Sequence, residues 1–66
     1  GLAMIELTLK DMTCGHCVRT VTQTVQKLDP QARIEIDLPA QRVKIETQQP
    51  PEAVRQALAE EGYPAS

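Results

Sequence analysis

Apolar residues fall at every second position early in the chain, where Ile5, Leu7 and Leu9 alternate with Glu6, Thr8 and Lys10. A period of two marks a strand with one buried face and predicts a first strand over Met4 to Lys10. From Val18 the spacing changes. Val18, Val21, Val25 and Leu28 recur every three or four residues, which lays an apolar stripe along a helix that ends before Asp29-Pro30. Alternation returns at Ile34, Ile36 and Leu38 and again at Val43 and Ile45, with Leu38-Pro39-Ala40-Gln41 as the turn of a hairpin. The outward positions Arg33, Glu35, Asp37, Arg42, Lys44 and Glu46 mix signs, as a solvated sheet face should. Gln48-Gln49-Pro50-Pro51 is a break, and Pro followed by Glu52 opens a second helix. Ala53, Val54, Ala57 and Leu58 give it an inner face, and Gly62 caps its end. Tyr63 to Ser66 supplies a short last strand. The expected order is βαββαβ, an α+β split-βαβ unit with two helices on one face of a four-stranded antiparallel sheet.

Composition narrows what such a fold can do. The 66 residues make one domain, 1–66, and bury only about 60% of the surface the unfolded chain exposes. Tyr63 is the sole aromatic, so Ile, Leu and Val carry the core. A chain this small has little room for both a core and a substrate cavity of several hundred Å³, which argues against an enzyme. Seven Lys and Arg stand against nine Asp and Glu, a net charge of −2 with the signs interspersed; nucleic-acid binding is therefore disfavoured. No stretch approaches the roughly 20 apolar residues of a membrane span, and none has the pattern of a secretory signal. Met4 reads as a native start behind Gly1-Leu2-Ala3, which places the chain in the cytoplasm, where a cysteine pair stays reduced.

The chemistry is concentrated in Asp11-Met12-Thr13-Cys14-Gly15-His16-Cys17, which holds both cysteines of the chain. Two sulfurs on a loop at a helix N-terminus are favoured as thiolates by the unpaired N–H groups and the helix dipole. The Cys-x-x-Cys spacing alone serves zinc sites, disulfide exchange and monovalent copper. A structural zinc site wants four ligands, whereas the chain has two Cys and a single His. The expected cargo is thus a soft ion of low coordination number, Cu(I) first, held by Cys14 and Cys17. A two-coordinate ion on a surface loop stays open to attack by another protein's thiolate. Cys14 is expected to be the more mobile ligand and Cys17, in the first helical turn, the anchored one. His16 is a third ligand, a pH-sensitive neighbour or a solvated side chain; Met12 is a core plug beneath the loop or a thioether ligand. Tyr63 either steadies thiolate charge or covers the core edge.

Met12-Thr13-Cys14-Gly15-His16-Cys17 resembles the M-x-C-x-x-C loop of heavy-metal-associated domains, and Glu61-Gly62-Tyr63 looks like a matching segment of that family. The likeness spans nearly the whole chain. It implies a ferredoxin-like open-faced sandwich, with Cys14 and Cys17 as Cu(I) ligands, Met12 as buried loop support and Tyr63 as a bacterial-type residue near the metal. It also implies a copper chaperone or a module of a copper-transporting P-type ATPase, with the matching ATPase or chaperone as partner and a metal-bridged homodimer as a further assembly. Two alternatives stand beside this reading: a thiol–disulfide oxidoreductase built on Cys-Gly-His-Cys, and a carrier of Hg, Ag or Zn.

Overall fold

Alternating residues become strands and three-to-four-spaced residues become helices in the computed structural model, which describes residues 3–65. Strand β1 runs Ala3–Thr8, helix α1 Gly15–Leu28, strands β2 and β3 Arg33–Asp37 and Arg42–Thr47, and helix α2 Pro51–Glu60. The sheet is antiparallel in the order β1-β3-β2, with β3 at its centre. Ile5, Ile45 and Ile34 lie in one cross-strand row, and Leu7, Val43 and Ile36 in the next. These rows face the helices. Val21 and Val25 of α1 and Val54 and Leu58 of α2 close over them, together with Leu9 and Met12.

On the opposite face the rows are charged. Lys44 stands between Glu6 and Glu35, and Arg42 is opposite Asp37, so opposite charges are neighbours across the strands. Two features depart from the sequence pattern. Ile34 and Ile36 on the edge strand β2 are only half-buried, whereas Ile5 and Leu7 on the other edge strand, β1, are buried.

The second departure corrects the expected four-stranded sheet, since three strands are present among the described residues. Tyr63, Pro64 and Ala65 form no ladder, and the expected last strand ends at Ser66, outside the described residues. Pro64 has no N–H to donate. Tyr63, moreover, is turned toward the cysteine loop rather than along the sheet.

At the end of the fold away from that loop, Asp29 ties α1 to the segment after β3. Its Oδ2 accepts from Thr47 Oγ1 at 2.6 Å and from the Gln48 N–H at 3.4 Å, and its Oδ1 accepts from the Gln31 N–H at 3.0 Å. Thr47 is fully buried, and its hydroxyl also accepts from the Gln49 N–H at 3.1 Å. The Thr47 bond first, then the Gln31 and Gln48 amides, hold the Asp29 carboxyl below its usual value against a smaller desolvation penalty. A depressed folded-state value means that this stabilisation is complete above the unfolded value of about 3.9 and is lost as pH falls through the folded one. Thr47→Val is therefore expected to raise the Asp29 pKa and flatten the loss of stability below about pH 4. Denaturant titrations across that range check it; an unchanged acid limb would contradict the assignment.

Candidate metal site

The chain passes from core to surface between Leu9 and Cys14. Leu9 extends the β1–β3 pairing by one residue, its N–H donating to the Gln41 carbonyl at 2.8 Å. Its own carbonyl accepts from the Met12 N–H at 3.0 Å, closing a tight turn that drops Met12 into the core with no exposed surface. Two residues later Cys14 is exposed, and one helical turn beyond it Cys17 is buried.

Cys14 is the N-cap of α1. Its backbone is extended (φ −148°, ψ 169°), its carbonyl accepts the first helical bond from the Val18 N–H at 3.2 Å, and its side chain makes no capping bond. The sulfur is thus not used up by the helix terminus. Cys17 sits one turn before Val21 on the buried stripe that continues to Val25, so its backbone is fixed by packing. The two Sγ atoms are 3.0 Å apart.

Cys17 lies among donors. Hydrogen bonds from the Cys14 thiol, the Tyr63 hydroxyl and the Thr13 and Cys14 backbone outweigh desolvation and lower its pKa from 9.0 to about 7. Tyr63 is shifted the other way: its bond to Cys17, then desolvation and the nearby sulfur charges, raise its pKa, with Thr20 acting weakly in the opposite sense. A donated hydrogen bond from phenol to thiolate accounts for both directions.

The end of α2 delivers Tyr63 to that position. Gly62 adopts φ +92°, a left-handed conformation that L side chains rarely take. The Tyr63 N–H then donates to the Leu58 carbonyl at 2.9 Å and the Gly62 N–H to the Ala59 carbonyl at 3.1 Å, which is the Schellman termination. The chain is thrown back across α1, where Thr20 lies one turn beyond Cys17.

The structure therefore brings Cys14, Cys17 and Tyr63 together and puts Met12 underneath. His16 is exposed, and among the described residues no three His, Cys, Asp or Glu side chains gather to hold an ion. His16 contributes its backbone carbonyl, which accepts from Thr20 Oγ1 at 3.1 Å. Thr20 and Gln41 are the two site-supporting residues that pattern reading misses. Thr20's three-residue spacing from Cys17 is a signal for it, whereas Gln41 lies in a distant hairpin and leaves none.

Comparison with known proteins agrees with this geometry. The heavy-metal-associated domain model matches residues 6–64. The chain belongs to the heavy-metal-associated domain family. A COP-associated protein of Helicobacter felis is 36% identical over 61 residues, covering 89% of this chain and 92% of the relative. Among solved structures, the copper chaperone Atx1 from Synechocystis, in a trimeric form, superposes with a TM-score of 0.91 at 35% identity, covering 94% of this chain and 98% of that one. A gold binding protein superposes with a TM-score of 0.89 at 34% identity, covering 98% and 95%. Within this family fold the cysteine pair occupies an exposed end, and no helix among the described residues is long and apolar enough to cross a membrane.

Removing the phenol hydroxyl tests the electrostatics of the pair. Tyr63→Phe takes away a donor to the thiolate and so disfavours the charged form; the Cys17 pKa is expected to rise above 7. Ultraviolet absorbance of the thiolate followed against pH measures it, and a value still near 7 would show that Tyr63 plays no part.

Proposed function

We propose that the chain is a Cu(I) carrier, not an enzyme, in which Cys14 and Cys17 bind the ion and pass it to a partner by thiolate exchange. The observation that carries this reading is the asymmetry of the sulfur pair: one thiol is buried, donor-stabilised and ionised near neutral pH, and the other is exposed 3.0 Å away. Thiolates select soft d10 ions, and two sulfurs without a third gathered ligand suit an ion content with low coordination. The chain's similarity to a copper chaperone and to a gold binding protein supports the same class of ion.

Loading requires a small opening. Bonds of the length zinc makes to thiolate, about 2.3 Å, would set the sulfurs about 4.6 Å apart in a straight S–metal–S line. From 3.0 Å the pair must widen by roughly 1.6 Å. Cys14 supplies the movement, because its side chain is exposed and makes no capping bond, while Cys17 stays on the packed stripe. Binding releases the thiol protons of the pair, so affinity rises with pH through the Cys17 value of about 7.

Handover uses the same asymmetry in reverse. A thiolate of the partner would attack the ion from the solvent side to give a three-coordinate intermediate; Cys14 would leave first, and Cys17 with the first partner sulfur would hold the ion until the second partner sulfur arrives and displaces Cys17. The fitting partner is a matching Cys-x-x-Cys on a copper-transporting P-type ATPase or on another chaperone in the reducing cytoplasm. Two copies of this chain sharing an ion through paired Cys14 and Cys17 would form a metal-bridged homodimer by the same contacts. A disulfide oxidoreductase would also use this pair, but membership in the heavy-metal-associated family favours metal transfer.

Titration of the reduced chain with Cu(I) against a competing chelator is expected to give one ion per chain. Cys14→Ser or Cys17→Ser should each lower affinity by more than the roughly 10–100-fold typical of changes outside the ligands themselves. Cys14→Ser should slow transfer to a second Cys-x-x-Cys protein more than Cys17→Ser does. Zn(II) displacing Cu(I) at comparable free concentration, or binding that survives both substitutions, would overturn the proposal.

A further inference from the structure

The tip of the β2–β3 hairpin reaches the metal loop through one residue. Gln41 has φ +58° and is the sole non-glycine residue with positive φ among those described. Non-glycine residues adopt this conformation at a cost and persist in it where surrounding structure requires it. Here the requirement is visible in its hydrogen bonds. The left-handed turn sends the Gln41 N–H back to the Leu38 carbonyl at 3.0 Å, so it cannot complete the antiparallel pair with Leu9. The Leu9 carbonyl accepts instead from Met12 at 3.0 Å, and that bond closes the turn which buries Met12 and exposes Cys14. The Gln41 side chain then grips the middle of the same turn, Nε2 donating to the Lys10 carbonyl at 2.9 Å. Backbone and side chain of one residue thus fix three successive features of the loop: where β1 stops pairing, where the Leu9 carbonyl turns, and where the Lys10 carbonyl points.

We infer that Gln41 is a positioning residue for the metal loop, holding Cys14 at its distance from Cys17 without touching either sulfur. The inference rests on the proposed role of the two cysteines in binding Cu(I). Its chemistry is that of a donor: an amide can satisfy the Lys10 carbonyl, and an isosteric carboxylate cannot. Loss of the bond frees the turn while the β1–β3 ladder below it, from Thr8 opposite Arg42 onward, stays intact.

Three variants separate positioning from general stability. Gln41→Glu keeps shape but removes the donor, Gln41→Gly removes the side chain while suiting the left-handed backbone, and Gln41→Lys restores a donor of sufficient reach. Amide hydrogen exchange of the metal-free chain is expected to quicken about fivefold at Met12 in Gln41→Glu and Gln41→Gly, the worth of one typical hydrogen bond, with Ile45 unchanged. Cu(I) affinity should fall by a similar factor of about five, and Gln41→Lys should return both readouts toward the wild-type chain. Unchanged exchange at Met12, equal acceleration at Met12 and Ile45, or affinity indifferent to all three variants would each overturn the inference. A wild-type chain that takes up no Cu(I) would instead overturn the proposed function, and the exchange comparison would still decide whether Gln41 holds the loop.

Discussion

Met12 has no exposed surface, whereas Cys14, two residues later, faces solvent. The site depends on that abrupt passage out of the core. A fully buried methionine side chain contributes about 1.5–3 kcal/mol relative to an exposed one, a large share for a domain whose total stability is of the order of 0.05–0.15 kcal/mol per residue. The loop cannot drift without withdrawing that group. It is held at its other end by α1, whose stripe of Cys17, Val21 and Val25 is packed against the sheet. Only the short piece between these anchors is open to solvent. The metal loop is therefore an outgrowth of the hydrophobic core and not an appendage to it.

The two sulfurs acquire different characters from this placement. Cys17 belongs to the packed stripe and receives donors from the Cys14 thiol, the Tyr63 hydroxyl and the loop backbone. Cys14 caps the helix by its backbone alone, and its exposed sulfur is engaged only with Cys17. A symmetric pair would have no preferred order of ligand loss. An asymmetric one does, and in the proposed carrier this order is what allows tight holding and ready release to coexist: the buried thiolate retains the ion while the exposed one exchanges.

Much of this was legible in the residues. The period of two at Ile5, Leu7 and Leu9, the helical stripe from Val18 to Leu28 and the break at Pro50-Pro51 each produced the expected element, because burial of one face dominates short local segments. Gly62 signalled the end of α2 and lies in the left-handed conformation that such a cap needs. Other features were not legible. Ile34 and Ile36 alternate as regularly as Ile5 and Leu7, yet they are half-buried while Ile5 and Leu7 are buried, although β1 and β2 are both edge strands. The sequence of the last residues resembled a fourth strand, but Pro64 lacks a donor and Tyr63 is drawn to Cys17. Gln41 carried no signal, since its neighbours in space, Leu9 and Lys10, lie about thirty positions away and glutamine has no special preference for a left-handed turn.

By itself the chain's order of residues determined which segments are strands and helices and that two sulfurs stand at a helix N-terminus. Those are matters of local period and spacing, and they do not depend on what lies across the fold. Tertiary structure alone decided that Tyr63 donates to Cys17 and that a hairpin tip meets the loop. Each of these is a meeting of segments distant in sequence. Hydrogen-bond geometry and burial are fixed only when those segments pack, and no pattern within either segment encodes the distance between them.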